Sequence, residues 1–188
     1  MTVDRRDVLA DAAITVLARA GSRGLTHRAV DAAAGLAEGT SSYYFRTRSA
    51  LLQACVERMA ARTLEEMATG TSAVTTVDQL VGACVATVGR WLAKDQERLL
   101  ARWELALEST RRPELETALR AAGALIRERI ADTLAGLGIA EARRRADDLV
   151  ACLDGLAFDQ LAGAGRPPRD DAGLRASITD VVRGFTGS

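Results

Sequence analysis

Apolar residues recur at intervals of three and four along most of the chain, which is the period of a helix with one buried face. The first such segment places Leu9, Ala13, Val16 and Ala20 on one side. We find no segment in which apolar and polar residues alternate, as they do in a half-buried strand. The pattern therefore predicts an all-α protein.

Glycines, prolines and capping side chains divide this pattern into about nine helices. Gly21 and Gly35 suit helix ends, Thr26 suits a helix start, and Pro113 suits the first turn of a helix. The longest breaks are the loops TGTSAVTT (69–76) and GAGRPPRDD (163–171). The predicted helices cover approximately residues 4–20, 26–34, 38–45, 49–68, 77–94, 97–109, 113–136, 141–161 and 171–185.

The composition fits a small domain joined to a larger one. The chain has 188 residues, of which 48% are hydrophobic and 27% charged, and its formal net charge is zero. This balance argues against a uniformly basic coat for nucleic acid, although a local basic patch remains possible. We find neither a signal peptide nor a run of ~20 apolar residues that spans a bilayer. We therefore expect a cytoplasmic protein that does not bind membranes.

The residue types needed for catalysis or metal binding are scarce. Cys55, Cys84 and Cys152 lie far apart, and His27 is the only histidine. We expect three buried thiols in a reduced compartment and no metal site. The sequence has no Gly-rich phosphate loop and no paired nucleophile and base. We therefore expect neither an enzyme nor a cofactor.

Residues 35–52, GLAEGTSSYYFRTRSALL, join two short predicted helices through a Gly-containing turn. This arrangement is typical of a helix-turn-helix, whose second helix enters the major groove of DNA. Small side chains allow close approach, hydroxyls and tyrosines reach phosphates or bases, and arginines neutralise phosphate charge. The candidate DNA contacts are Thr26, His27, Arg28, Ala37, Glu38, Gly39, Thr40, Ser41, Ser42, Tyr43, Tyr44, Arg46 and Arg48.

Two assignments in this segment stay open at the level of sequence. Adjacent residues of a helix diverge by about 100°, so Tyr43 and Tyr44 cannot both face one core, whereas Phe45 is expected inside. Glu38 either accepts a hydrogen bond from a cytosine amino group or is a solvated acid that favours the helix start. Charge alone does not decide for DNA binding, because residues 1–50 contain seven arginines and five acids.

The run T-x-R-x-V at Thr26–Val30, AAG at 33–35 and EGTSSYYFRTRSALL at 38–52 resembles the DNA-binding domain of TetR-family transcriptional regulators. The match extends without gaps over about residues 9–56. The stretch RWELALESTRRPEL (102–115) also resembles the junction between the sixth and seventh helices of that family. Many members have Tyr in place of Ser42 and a small residue in place of Asp31. We expect Asp31 to bond locally within the second helix.

The resemblance implies a DNA-binding domain over residues 1–48 and a helical regulatory and dimerisation domain over residues 49–188. Family members typically dimerise through their last two helices, and both carry apolar stripes here. The alternative is that these stripes form the core of one chain. The candidate interface residues are Leu149, Leu153, Leu156, Leu174, Ile178, Val181 and Phe185.

Regulators of this kind usually bind a small-molecule effector in the larger domain. Trp and Met side chains suit an adaptable apolar pocket, although each also suits a core. The resemblance implies that the effector shifts the fourth helix. The candidate ligand-binding residues are Met59, Met67, Cys84, Trp91, Trp103, Glu104, Leu107 and Phe158.

These observations favour a repressor that binds a palindromic operator on double-stranded DNA as a homodimer and is released by a small molecule. Two alternatives remain open. One is a helical protein-interaction module that does not bind DNA, and the other is a ligand-independent activator of the same fold. The module would tolerate changes at Tyr43 and Tyr44 but not in the last helix.

Overall fold

A computed structural model describes residues 4–70, 74–163 and 169–186 of the chain. These residues form nine helices and no strand, which confirms the predicted all-α fold. The helices are α1 (Arg5–Gly24), α2 (His27–Ala34), α3 (Thr40–Tyr44), α4 (Arg48–Gly70), α5 (Val77–Lys94), α6 (Gln96–Ser109), α7 (Pro113–Gly136), α8 (Ala142–Ala162) and α9 (Asp171–Thr186).

Local capping explains why several predicted boundaries are correct. The Thr26 hydroxyl accepts a hydrogen bond from the N–H of Ala29 at 3.2 Å, and α2 begins at the next residue. Thr76 and Gln79 form a reciprocal capping box at the start of α5. Each cap satisfies a backbone N–H that has no partner inside its own helix, so the boundary is encoded within four residues.

Two boundaries differ from the prediction for a backbone reason. Helix α1 does not end at Gly21 but breaks there, with φ 64° and ψ −177°, and resumes to Gly24. Helix α3 begins only after Gly39, whose φ of 92° is not helical. Within the two predicted loops, residues 71–73 and 164–168 lie outside the described residues.

The chain divides into two compact units. The first contains residues 1–64 and 97–123, and the second contains residues 65–96 and 124–188. The segment predicted to bind DNA therefore shares its unit with the first part of α4, with α6 and with the first half of α7. The functional boundary expected after residue 48 stays a prediction.

Helices from both sequence segments build the core of the first unit. Leu9 and Ala13 of α1, Leu52 of α4 and Leu105 of α6 are fully buried in one apolar cluster. Two arginines of α4 add ion pairs at the rim. Arg58 donates to Asp7 at 3.1 Å and to Asp11 at 2.8 Å, and Arg62 lies 3.5 Å from Asp11. These contacts fix α1 against α4.

The core of the second unit lies between α5, α8 and α9, which contact one another. This arrangement corrects part of the predicted dimer interface. The apolar stripes of α8 and α9 pack inside one chain because α5 covers them. This matches the alternative in which the stripes form the core of one chain. The buried members are Leu149, Leu153, Leu174 and Ile178, whereas Leu156, Val181 and Phe185 are half-buried.

The three cysteines differ in environment. Cys55 and Cys84 are buried, as predicted, but Cys152 is exposed on α8, so the expectation of three buried thiols is wrong for this residue. Burial raises the pKa of Cys55 to about 12, with a further contribution from the Asp11 carboxylate, and raises the pKa of Cys84 to about 11.

Replacing Ile178 by Ala tests whether the α9 stripe is core or dimer interface. Ile178 is fully buried in one chain, so we expect the free energy of unfolding to fall by about 2–5 kcal/mol. Circular dichroism melts at several protein concentrations measure the change. A loss that disappears at high concentration would instead indicate a subunit contact. Lys94→Ala, exposed at the end of α5 in the same unit, is the matched control and should change little.

Alkylation tests the thiol environments. The thiolate is the reactive form, so the raised pKa values of Cys55 and Cys84 leave both thiols protonated at mildly alkaline pH. At a protein concentration low enough to disfavour self-association, we expect iodoacetamide to modify the exposed Cys152 first in the folded chain, and all three thiols in denaturant. Peptide mass spectrometry measures the order, and modification of Cys55 at the rate of Cys152 would contradict this picture.

Candidate nucleic-acid interface

The turn between α2 and α3 depends on two glycines whose backbone lies in the left-handed region. Gly35 ends α2 with φ 65°, and Gly39 precedes α3 with φ 92°. Both conformations are strained for a residue with a Cβ atom. The N–H of Leu36 donates back to the carbonyl of Asp31 at 2.9 Å, which closes the end of α2. These contacts redirect the chain within five residues.

The Asp31 carboxylate fixes the start of α3. Asp31 is 2% exposed, and its two oxygens accept hydrogen bonds from the N–H of Gly39 at 2.8 Å and of Ser41 at 2.7 Å. Asp31 thus bonds forward to the next helix and not within α2, which corrects the local bonding predicted for it. A carboxylate at a helix start also interacts favourably with the helix dipole.

Two further contacts complete this polar junction. The Ser41 hydroxyl donates to the carbonyl of His27 at 3.1 Å, and His27 Nε2 donates to the carbonyl of Phe45 at 2.6 Å. Ser41 is fully buried, so its predicted role as a DNA contact is wrong. His27 is half-buried and its ring tethers α2 to the residue that follows α3. The side chains of Ser41 and His27 therefore hold α3 in place and are not part of its exposed surface.

Arg48 is likewise engaged within the fold. Its guanidinium donates to the carbonyl of Leu25 at 2.6 Å, to the Ser22 hydroxyl at 2.8 Å and to the carbonyl of Ser22. These acceptors belong to the end of α1 and the residue after it. In this arrangement Arg48 ties the start of α4 to the end of α1, and its DNA contact stays a prediction.

The remaining candidates form one exposed surface, which we call the turn-helix surface. Tyr43 is its most exposed member at 79%, whereas Tyr44 is half-buried against the core. The two rings meet edge to face with centroids 5.2 Å apart, so Tyr44 supports Tyr43 from the core side. The exposed members of the surface are Thr26, Arg28, Ala37, Glu38, Gly39, Ser42, Tyr43 and Arg46, and Thr40 is half-buried at its edge.

Two hydroxyls on this surface already have acceptors. Thr40 Oγ1 donates to the carbonyl of Ala37 at 2.6 Å, and Ser42 Oγ donates to the carbonyl of Gly39 at 2.8 Å. With its proton donated inside the turn, each hydroxyl can only accept. A contact to phosphate would require a donor, and the exposed side chains of this surface that offer one are Arg28, Arg46 and the hydroxyls of Thr26 and Tyr43.

The sequence analysis missed Arg6 as part of this region. Phe45 is 2% exposed, as predicted for a core residue, and the Arg6 guanidinium carbon lies 4.8 Å from the centre of its ring. Arg6 also donates to the carbonyl of Tyr44 at 3.4 Å. The start of α1 lies beside the end of α3. The adjacent arginines Arg5 and Arg6 at this start were the signal in the sequence that could have pointed to Arg6.

The predicted ligand residues divide between the two units. Trp103, Glu104, Leu107 and Met59 belong to the first unit, and Met67, Cys84, Trp91 and Phe158 belong to the second. The eight assignments stay a prediction, and the side chains differ in exposure. Met59 is buried in the core of the first unit, and Leu107 and Phe158 are 62% and 47% exposed.

Glu104 has a structural partner in the first unit. Its Oε2 atom accepts a hydrogen bond from the N–H of Ser22 at 3.2 Å, beside the break in α1. One carboxylate oxygen of Glu104 is therefore already engaged within the fold. In the same neighbourhood the Arg112 guanidinium, 2.6 Å from the Glu108 carboxylate, holds the pKa of that carboxyl below its usual range.

The second unit also has a shallow polar cleft. Its volume is about 320 Å³, and it includes none of the predicted ligand residues. The described residues contain no group of three His, Cys, Asp or Glu side chains placed to hold a metal ion. No helix among them is long and apolar enough to cross a membrane. The cleft is lined by Val74, Thr75, Arg129, Asp132, Thr133 and Gly136.

Comparison with known proteins identifies the class. Residues 75–187 match the tetracyclin repressor-like C-terminal domain, which is more than half of the chain. Together with the helix-turn-helix of the first unit, this match shows that the chain belongs to the TetR family of transcriptional regulators. No curated protein matches the chain.

Solved structures agree over nearly the whole length. A TetR-family regulator from Rhodococcus sp. is 22% identical, with 97% of this chain and 98% of that chain covered and a TM-score of 0.78. GusR from Salmonella enterica is 17% identical, with full coverage of both chains and a TM-score of 0.79. These two likenesses concern the fold.

A multidrug binding protein, EbrR, is more similar in sequence. Its complex with imidazole is 30% identical, with 95% of this chain and 94% of that chain covered and a TM-score of 0.68. Its complex with ethidium is 29% identical, with 96% and 99% covered and a TM-score of 0.70.

Replacing Asp31 by Asn tests the junction between α2 and α3. The amide would present a donor to a backbone N–H that now has an acceptor. We expect the free energy of unfolding to fall by about 1–3 kcal/mol, and the amides of Gly39 and Ser41 to exchange faster with solvent. Thermal melts and hydrogen exchange measure these changes.

Asp170→Asn is the matched control, because Asp170 also accepts from a backbone N–H, that of Gly173 at 2.8 Å, but is exposed. Its effect should be smaller and should not reach residues 39 and 41. Unchanged exchange at Gly39 and Ser41 in the Asp31 variant would contradict the assigned role.

Proposed function

We propose that this regulator is a repressor that binds a palindromic operator as a homodimer and is released from it by a small molecule. The observation that carries the proposal is the turn-helix surface. A very short helix presents Tyr43 almost fully to solvent while buried polar contacts from Asp31 and Ser41 hold its backbone. A rigid scaffold under an exposed polar surface is what recognition of a groove requires.

The charges of this surface support a duplex as its partner. Arg28 and Arg46 are exposed on either side of Tyr43 in sequence, and the exposed Arg5 and Arg6 begin α1 close to Phe45. Each arginine that neutralises a phosphate releases bound counterions, which makes affinity fall as salt rises. The side chains of Ala37, Gly39 and Ser42 are small enough for the backbone to approach DNA closely.

A dimer matches two half-sites of a palindrome. Because the predicted stripe is buried in one chain, we assign the interface to the outward faces of α8 and α9. The exposed residues of the second half of α8 are small or apolar, in contrast to its charged beginning. They are Ala151, Cys152, Gly155, Phe158 and Ala162, and Ala172 and Ala176 are exposed on α9. Small side chains let helices of two copies approach closely.

The effector we propose is a small aromatic molecule. EbrR is a multidrug binding protein with complexes of ethidium and proflavin. In this chain Met67, Cys84 and Trp91 all belong to the second unit, and Met67 and Trp91 are only half-buried there. These three side chains are the candidate walls. Release would follow if the effector favours a conformation that does not fit the operator.

Selection of duplexes from a random pool, followed by fluorescence anisotropy across a salt series, tests the proposal. We expect a palindromic site whose affinity falls steeply as salt rises. Tyr43→Ala should weaken binding by about tenfold or more, because a hydrogen bond to a charged phosphate is lost in each half-site. Its melting temperature should stay unchanged, since Tyr43 is exposed.

Tyr43→Phe separates the hydroxyl from the ring and should reproduce most of the loss. Weak, sequence-blind binding that does not respond to Tyr43 would favour the interaction module that does not bind DNA. Specific binding that no aromatic ligand weakens, with increased transcription of the adjacent gene, would favour the ligand-independent activator.

A further inference from the structure

We propose that Glu38 reads one base in each half-site by accepting a hydrogen bond from the exocyclic amino group of a cytosine in the major groove. The proposal rests on the operator binding proposed above and adds a specificity determinant to it. Four observations carry it: the exposure of Glu38, the state of the α3 start, the size of the neighbouring side chains, and the hydrogen-bonding capacity of a carboxylate.

Glu38 has no role in building the helix start. The N–H groups of Gly39 and Ser41 already donate to Asp31, and the N–H of Thr40 donates to the carbonyl of Ala37 at 3.1 Å. The usual function of an acid at this position, to accept from the first free amides, is therefore performed by another residue. Within the described part of the chain, the exposed Glu38 carboxylate has neither a hydrogen-bond partner nor an ion-pair partner.

The position of Glu38 places it at the front of the turn-helix surface. It immediately precedes Gly39, and residues at the start of a recognition helix are those that reach base edges. Its neighbours Ala37 and Gly39 have a methyl group and a hydrogen as side chains, and Ser42 is short. Glu38 and Tyr43 are thus the two long exposed side chains of the segment 37–43.

The chemistry of the carboxylate selects the base. A carboxylate only accepts hydrogen bonds, and phosphate oxygens also only accept, so Glu38 gains nothing from the DNA backbone. Among the bases, cytosine presents a single N4 donor in the major groove. Adenine presents a donor beside the N7 acceptor, whereas guanine and thymine present acceptors. Cytosine is therefore the best partner for an ionised Glu38.

Selection from a random duplex pool with the wild-type chain, Glu38→Gln and Glu57→Gln tests this inference. Glu57 is exposed on α4 in the same unit, so its variant makes the same charge change away from the surface. We expect the wild-type protein to prefer cytosine at one position of each half-site. Glu38→Gln should replace that preference by adenine, to which an amide both donates and accepts, with a change of roughly tenfold or more at that position.

Glu57→Gln should leave the selected sequence unchanged, and both variants should melt at the wild-type temperature. If Glu38→Gln strengthens binding to all sequences equally and leaves every base preference intact, Glu38 is only a repulsive charge and the inference is wrong. If the wild-type chain selects no sequence at all, the proposed operator binding fails together with it. If all three proteins select a palindrome with the same bases, the proposed operator binding stands, and only the recognition of cytosine by Glu38 is wrong.

Discussion

Two hydrogen bonds accepted by one buried carboxylate fix the orientation of the recognition helix. Helix α3 has five residues, far fewer than an isolated helix needs to be stable in water. Its geometry must therefore come from tertiary contacts, and Asp31 supplies the contacts at its start. A buried carboxylate is itself unfavourable unless it is hydrogen-bonded, so the turn and the acid stabilise each other. Any shift of Gly39 or Ser41 would leave the Asp31 carboxylate without the N–H groups that donate to it.

The other end of α3 is held by different chemistry. Phe45 is buried in the apolar core immediately after the helix, and its carbonyl accepts from His27. The helix is thus fixed by a polar contact at one end and an apolar anchor at the other, with Ser41 bonded to α2 between them. Tyr43 projects from a backbone that has little freedom to rotate. This rigidity reduces the entropy that ordering would cost on binding.

The sequence predicted those features whose partners are close along the chain. The caps at Thr26 and Thr76, the start of α7 at Pro113 and the burial of Phe45 all follow from residues within a few positions. It also predicted that one of the two adjacent tyrosines is exposed, because helical geometry leaves no alternative, but not that this residue is Tyr43.

The sequence could not predict contacts made across the fold. Asp31 bonds to residues eight and ten positions later, and Arg48 to acceptors 23 and 26 positions earlier. An apolar stripe shows that a helix face is covered but not by what, so the stripe of α9 fits a second copy as well as it fits α5. Similarly, Ser41 is a residue type that often caps helices at the surface, and only its contact with His27 across the fold shows that it is buried.

The contact between Glu104 and Ser22 has a consequence for the evolution and engineering of such proteins. The break in α1 at Gly21 leaves the N–H of Ser22 without a helical acceptor, and α6 supplies one from more than eighty positions away. Leu105 and Ala101 of the same helix fill the core beneath α1. The unit that contains the recognition helix is therefore built from two separate segments of the sequence. A chimera that exchanges only the first 48 codons between relatives would separate α1 from its packing partner, whereas recombination that also transfers residues 97–123 would keep the unit intact.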